Sequence, residues 1–379
     1  MAEAAAETAD VIIVGAGMAG AAAAAHLAAE RRVVLLERES QPGYHSTGRS
    51  AALFTETYGN RAIRTLTGAS RAFYEAWADG FTEHPILTPR GALMFALPGQ
   101  EAELDAAWED LSSLDPRVRR LGAAEARAMV PVLRPDQVLG AVYEPDAMDI
   151  DVHELHQGYL RRLRQRGGRI VTDAEVRALA RRAAAWVAST TAGEFTAPFV
   201  VNAAGAWADV LAELAGLPPV GLVPKRRTAL TIAAPAGIDA GGWPMTLDVG
   251  ESFYFKPDAG RLLVSPADET PIEPCDVQPD ELDVAIAIDR LTRATTIEVT
   301  RVERKWAGLR SFVTDKTTVC GFDPLADGFF WLAGQGGYGI QTAEGMARCA
   351  AALIAGDGLP PDIAAKGLDA ATLSPARFR

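Results

Sequence analysis

Cysteine, basic charge and long apolar runs are all scarce in this chain, and each scarcity removes a class of function. Only three cysteines, Cys275, Cys320 and Cys349, occur among 379 residues. They form no C-x-x-C pair and have no histidine at metal spacing, so small buried hydrophobes in a reducing, cytoplasmic compartment are expected, with no metal site. Acidic residues outnumber basic ones by 49 to 37, a formal net charge of −12. That balance argues against nucleic acid or an anionic membrane surface as the main partner. The apolar stretch Val11–Ala25 is broken by Gly15, Gly17 and Gly20 and falls short of the ~18–20 residues of a membrane span. Met1–Ala9 lacks the basic start of a secretion signal. Of the five histidines, His45, His84, His153 and His156 are expected in loops or at the surface and His26 in the first helix, with no His/Asp or Ser/His constellation.

A hydrophobic content of 49% over this length is enough for two domains with substantial cores. Asp10–Val14 reads as a strand, Gly17–Ala29 as an alanine-rich helix and Val33–Glu37 as a second strand, a βαβ unit opening a parallel sheet. Asn60–Ala147 reads as an excursion, with helices at Arg61–Trp77 and Gly99–Leu114 among proline-marked loops. A helix restarts after Asp151, whose Asp-x-x-Glu spacing has capping-box character, and stops at Gly167-Gly168. Arg169–Thr172, a meander over residues 175–197 and the buried strand Phe199–Asn202 follow. Gly221–Arg310 is strand-rich, with Arg227–Ala233, Ser252–Lys256 and Arg261–Ser265 and one helix, Pro279–Ala294. Phe329–Ala333 and a helix from about Gly339 to Ala355 end the series.

Gly15-Ala16-Gly17-Met18-Ala19-Gly20 is a G-x-G-x-x-G between a strand and a helix, where the first glycine permits the tight turn and the second a close approach by a pyrophosphate. The third lets helix and strand pack, and the helix N-terminus faces the anion. Glu37 ends the next strand 22 residues after Gly15, near the ~20 expected of a carboxylate that binds a ribose diol. The expected fold is therefore α/β. A Rossmann-like nucleotide domain on a parallel sheet takes residues 1–59, 150–216 and 311–379. An α+β substrate domain on a mixed or antiparallel sheet takes 60–149 and 217–310.

Three later segments point to a flavin dinucleotide rather than NAD. Ser46-Thr47-Gly48-Arg49-Ser50 offers short polar groups just after the second strand. Val201–Trp207 ends a strand in small residues, Ala204 and Gly205 among them, that let backbone lie against a ligand. Gly334-Gln335-Gly336-Gly337-Tyr338-Gly339-Ile340-Gln341 runs glycine-rich toward a helix that would set its positive end against the flavin N1–C2 carbonyl locus. Arg38 and Val176 complete the expected cofactor contacts.

These segments, together with Gln41–Ala52, Pro224–Arg227, Glu251–Asp258, Trp306–Phe312 and Gln335–Thr342, resemble the D-amino acid oxidase, glycine oxidase and sarcosine oxidase family of flavoproteins, and within it the D-arginine dehydrogenase branch. The resemblance implies non-covalent FAD, with Cys320 not where sarcosine oxidases attach flavin. It implies oxidation of the Cα–N bond of D-amino acids, hydride passing to flavin N5 and the imino acid hydrolysing to a 2-oxo acid and ammonia. Oxygen or a quinone would be the electron acceptor, and oligomeric state is left open. Arg310 and Arg227 would hold the substrate carboxylate with Tyr254, Tyr58 is a second active-site tyrosine, and Ala51 and Gly337 lie beside the amino group. Thr55, Met245 and Leu247 line the side-chain pocket. Where the branch has a glutamate for the guanidinium this chain has Ala92, and where it has a histidine this chain has Leu53. An apolar or aromatic side chain is therefore expected over D-Arg. Glu56 is either a substitute cation anchor or a loop carboxylate in water. A secondary-amine or N-methyl amino acid oxidase is the alternative within the family, and a non-catalytic flavin carrier the alternative outside it.

Overall fold

A computed structural model describes residues 6–76 and 80–379, so Trp77 of the expected helix lies outside the described residues. Its first sheet has six strands in the order Arg169–Val171, Val33–Leu36, Val11–Val14, Phe199–Asn202, Phe329–Ala333, Val319–Phe322. The first five are parallel and the last is antiparallel. Every residue of Val11–Val14, Val33–Leu36 and Phe329–Ala333 is buried, because both faces are covered. Helices Met18–Leu27, Val152–Gln165 and Ala343–Ala355 cover one face, and the meander Val176–Arg182, Ala185–Thr190, Gly193–Ala197 covers the other. Ala21–Ala25 are wholly buried, so the first helix is apolar all round rather than amphipathic.

The second sheet mixes two parts of the chain. It runs Thr270–Pro271, Val223–Ala233, Arg261–Ser265, Tyr254–Asp258, Met245–Asp248, Ala92–Ala96, Gly140–Glu144, Arg119–Gly122, with Val302–Phe312 also paired to Val223–Ala233. Met245–Asp248 lies parallel to Ala92–Ala96, and the other neighbours are antiparallel. A small sheet of Leu53–Phe54, Met148–Ile150 and Leu87–Pro89 is tied to it by Asp149, whose carboxylate accepts from Lys256 Nζ and Arg90 Nε, each at 2.6 Å.

The excursion over Asn60–Ala147 differs most from its reading. Its first helix, Arg61–Glu75, packs in the core of the parallel sheet: Tyr74 Oη donates to the Ile340 carbonyl at 2.7 Å, and Ser70 Oγ accepts from Gly345 N–H at 3.0 Å. The strands Ala92–Ala96, Arg119–Gly122 and Gly140–Glu144 lie among the proline-marked loops of that reading. Runs of four or five residues carry too little periodicity to separate strand from loop. The last helix begins at Ala343 and not Gly339, because residues 338–342 close successive tight turns, Thr342 N–H donating to the Tyr338 carbonyl at 3.1 Å.

Two buried polar contacts bind the helical layer. Glu344 Oε2 accepts from Tyr159 Oη at 2.8 Å and lies 3.0 Å from His26 Nε2, joining three helices. His156 is 4% exposed rather than in a loop, and its Nε2–H donates to the Ala16 carbonyl at 2.9 Å. Burial pushes the His156 pKa below its ordinary value, so it stays neutral in the folded protein. The unfolded chain binds a proton there once pH falls below about 6.5, so this contribution to stability is present above that pH and lost as pH falls toward the depressed folded value. His156→Leu orphans the Ala16 carbonyl and should cost about 1–3 kcal/mol at pH 7.5. The gap in Tm between wild type and variant should narrow between pH 7.5 and 5.5; a constant gap would show that His156 does not titrate on unfolding.

Candidate active site

One cavity of about 990 Å³ runs from the glycine turn of the parallel sheet to the face of the mixed sheet, at the upper end of the ~300–1,000 Å³ usual for small-molecule sites. At its first end lie Gly15, Gly17, Met18 and Ala19. Gly15 has φ +102°, and a Cβ there would sit 2.4 Å from the Ala203 carbonyl oxygen. Gly20 does not face the cavity; a Cβ on it would meet the Gly15 carbonyl oxygen at 1.8 Å, so it sets the helix against the turn. The helical ladder starts with Ala21 N–H donating to the Gly17 carbonyl, which leaves first-turn amides for an anion. One of them, Met18 N–H, donates to Thr47 Oγ1 at 2.9 Å.

Glu37 lies at the same end, its carboxylate accepting from Ala16 N–H at 2.9 Å and Glu39 N–H at 3.0 Å. Burial raises its pKa, and the two amide bonds oppose that rise. Arg38 lies over the Trp207 ring, 4.7 Å from its centre. Val176, Ala204 and Gly205 complete this wall. Of the segment 46–50, Thr47, Ser50 and the backbone face the cavity, but two side chains are held by protein. Ser46 Oγ donates to the Leu309 carbonyl at 2.6 Å. Arg49 donates to the carbonyls of Val277 and Ala307 at 3.0 and 3.1 Å and pairs with Asp276. Gly48 closes a turn onto the Gly43 carbonyl at 2.8 Å, and neither it nor Gly334 lines the cavity.

The turns over Gln335–Gln341 form the roof. These residues line the cavity directly, whereas Ala343, where the helix starts, does not; two of their amides are used within the protein, Gly336 N–H by the Ser311 carbonyl and Tyr338 N–H by the Gln335 carbonyl. Gln341 is pinned, its Nε2 donating to Thr67 Oγ1 at 3.0 Å. Gln335 Nε2 is buried with no hydrogen-bond partner, an orphaned donor at the cavity wall. A turn bare of side chains, a ribose-ready carboxylate and an unused amide donor fit a bound dinucleotide.

At the far end the structure brings together Arg310, Arg227, Tyr254, Tyr58, Ala51 and Gly337. Arg310 and Arg227 come from the paired strands Val302–Phe312 and Val223–Ala233, with Gly308 directly opposite Arg227. Arg227 is oriented by protein: Nε donates to the Asp268 carbonyl at 2.9 Å and Nη2 to Glu269 at 3.2 Å. Burial, and then the Arg310 charge, hold its pKa below the usual arginine value, though a guanidinium remains protonated at neutral pH. Among the described residues no carboxylate pairs with Arg310. A Cβ on Gly337 would lie 3.0 Å from Arg310 Nη1, so bare backbone is what lets the guanidinium sit there. Tyr58 and Tyr338 meet edge to face, ring centres 5.0 Å apart, and burial pushes Tyr338 up to about 12, leaving its phenol neutral.

Leu53, Ala92, Thr55, Met245 and Leu247 line the same end, with Met94. Glu56 does not: its carboxylate pairs with Arg71 at 2.9 Å, outside the cavity. The carboxylate that does line this wall is Glu144, directly across the sheet from Ala92 and 7% exposed. It accepts from Thr55 Oγ1 at 2.8 Å and Thr57 Oγ1 at 2.7 Å. The pocket is therefore not the wholly apolar one that Ala92 and Leu53 suggest. Glu144, Thr57 and Met94 escaped the sequence reading. For Glu144 and Thr57 a signal existed, a carboxylate ending the short apolar run from Gly140 and two threonines spaced i, i+2 on one side of an extended segment.

A family model described as "FAD dependent oxidoreductase" matches residues 10–353. Glycine oxidase of Geobacillus kaustophilus is 26% identical over 343 residues, 87% of this chain and 89% of that one. Other curated relatives are matched over less of their length: the chain spans 35% of FAD-dependent oxidoreductase domain-containing protein 1 of Xenopus laevis, at 28% identity over 42% of this chain. Among solved structures, L-proline dehydrogenase from P. horikoshii superposes with a TM-score of 0.84 at 19% identity, covering 98% of both chains, which establishes the shared fold. No helix among the described residues is long and apolar enough to cross a membrane. With the family match spanning nearly the whole chain and the cavity fitting its dinucleotide, the protein belongs to the FAD-dependent oxidoreductases and takes FAD as its cofactor.

Proposed function

We propose that this enzyme oxidises the Cα–N bond of an α-amino acid, D-configured, whose carboxylate is held by Arg310 and Arg227 with the phenols of Tyr254 and Tyr58. The observation that carries this reading is a pair of guanidinium groups facing one cavity, one of them with no carboxylate partner among the described residues. Two like charges drawn together away from water call for an anion, and a planar carboxylate matches the planar fork. The names of several relatives, among them glycine oxidase and human sarcosine dehydrogenase, support a substrate with a nitrogen on Cα. The D configuration is supported by the resemblance in residues 41–52 and 306–312.

FAD, when bound, supplies the two-electron acceptor for the Cα–H bond pair. The chain's own task is placement. Clamping the carboxylate fixes Cα relative to the cofactor, an orientation effect rather than acid–base catalysis. Gly337 and Ala51 offer backbone beside the position of the amino group, and an amine bound unprotonated needs no dedicated base. Loss of hydride from the neutral amine leaves an iminium, which sheds its proton to water, and water then hydrolyses the imino acid to a 2-oxo acid and ammonia. The hydroxyls of Tyr254 and Tyr58 can donate hydrogen bonds to the carboxylate.

An anaerobic screen of flavin bleaching with D-, L- and N-methyl amino acids tests the reading. D-amino acids should reduce the flavin fastest; preference for N-methyl substrates would move the assignment to secondary amines, and no reduction by any amino acid would end it. Arg310→Met should lower kcat/KM by ~30-fold or more, the loss of about 2–5 kcal/mol expected for one partner of a desolvated charge pair, while FAD content stays near one per chain. Gly337→Ala should raise KM by roughly 10-fold, since the new methyl group displaces the Arg310 fork by a few tenths of an ångström. Unchanged kinetics in Arg310→Met would put the carboxylate elsewhere.

A further inference from the structure

The substrate end of the cavity carries one group that the carboxylate clamp does not use. Glu144 is 7% exposed and lines the cavity, yet among the described residues its carboxylate takes hydrogen bonds only from the hydroxyls of Thr55 and Thr57. Those two hydroxyls also lie 2.9 Å from each other, so two protons serve a carboxylate with about four acceptor sites. No lysine or arginine among the described residues pairs with it. The nearest acids, Asp115 and Asp146, are themselves paired to Arg117 and add repulsion. An ionised carboxylate in this position is costly unless a cation arrives to share it.

Its location makes that arrival possible. Ala92 stands directly opposite Glu144, and Met245 stands on the other side of Ala92. Cross-strand neighbours point to the same face, so the short Ala92 side chain leaves open the space that Glu144 overlooks. From Gly140–Glu144 to the strand that bears Tyr254 there are three strand spacings, about 14 Å at ~4.8 Å each, and the strands of Arg227 and Arg310 follow two and three spacings further along the sheet. The long arginine side chains line the same cavity as Tyr254 and Glu144, so the substrate that bridges the two ends is one with several methylenes. Met94, Met245, Leu247 and Leu53 line the stretch between and suit such a stem. The cavity is thus positive at Arg310 and Arg227, apolar in the middle and negative at Glu144.

We propose that Glu144, supported by Thr55 and Thr57, anchors a cationic group at the far end of the substrate side chain, so that the enzyme acts on diamino or guanidino acids. This rests on the amino-acid reading for the other end of the substrate. It reverses the preference that Ala92 and Leu53 suggest, because the missing charge is supplied from the neighbouring strand. Burial raises the Glu144 pKa, and the two hydroxyl donors oppose the rise; a bound cation favours the ionised form further. Activity on cationic substrates should therefore fall as pH drops below the raised value, with no such limb for uncharged ones.

The experiment compares D-arginine and D-lysine with D-norleucine, wild type against Glu144→Gln, with FAD content and Tm confirming a folded holoenzyme. Expected is a fall of about 30-fold or more in kcat/KM for the cationic pair, D-norleucine staying within a few-fold, and loss of the acid limb. If Glu144 only pins the loop that carries Tyr58, the variant lowers all three substrates alike, and the proposal is overturned. It is overturned as well if wild type prefers D-norleucine. Binding of 5-guanidinopentanoate against hexanoate, read as a shift in the flavin spectrum, keeps the two proposals separate, since neither ligand has an α-amine. Tighter binding of the guanidino acid in wild type but not in Glu144→Gln sustains the anchor even if no amino acid is oxidised; equal binding in both proteins refutes it.

Discussion

The site depends first on how closely three pieces of backbone approach one another at Gly15. The carbonyl of Ala203 lies where a Gly15 Cβ would be, and the carbonyl of Gly15 lies where a Gly20 Cβ would be. No side chain fits, so the strand Val11–Val14, the helix after it and the end of Phe199–Asn202 are fixed as one unit. Separate elements then hold the turn from outside. Glu37 accepts from the Ala16 amide, His156 donates a hydrogen bond to the Ala16 carbonyl, and Thr47 accepts from the Met18 amide. Because each contact comes from a different part of the chain, the turn keeps its shape only when the sheet, the helical layer and the segment after Glu37 are all in place. The remaining amides are left for the cofactor.

A second constraint acts at the other end, where the protein leaves charge unbalanced. Globular interiors pair their charges because an isolated buried ion is costly. Here Arg310 and Glu144 both line the cavity with no counter-ion among the described residues, and they are separated by the width of several strands. Had they been close they would have neutralised each other. The sheet keeps them apart, so each stays available to opposite ends of one ligand. Selectivity of this kind comes from geometry: a ligand with the right charges but the wrong length leaves one end desolvated and unpaired.

The nucleotide half of the fold is legible in the residues because its strands are buried on both faces and so read as unbroken apolar runs. Phe199–Asn202 and Phe329–Ala333 fall where the sequence places them, and the G-x-G-x-x-G lies between strand and helix. The half that carries the substrate wall is less so. Ala92–Ala96 and Gly140–Glu144 are five residues each and pair across 43 or more intervening residues, so their partnership is a tertiary fact with no local signature. Arg49 shows a similar limit, since its place in a polar loop suggests the cofactor while Asp276 and two distant carbonyls claim it. Residue type told what these groups can bind; only the sheet register told what they face.

That distinction bears on what Ala92 and Glu56 can say when taken alone. Reading position by position asks whether a given site still holds its carboxylate, and Ala92 answers that it does not. The pocket instead depends on where a negative charge lies in space, and two strands about 4.8 Å apart present side chains to nearly the same volume. A glutamate across the ladder reaches what an aspartate or glutamate at position 92 would reach, provided that position 92 is small enough to let it. Glu56 is nearer Tyr58 in sequence, yet Arg71 on the next helix turns it outward. Nearness along the chain therefore misplaces the charge, and pairing across the sheet restores it, with alanine opposite glutamate as the arrangement that leaves room for a substrate between them.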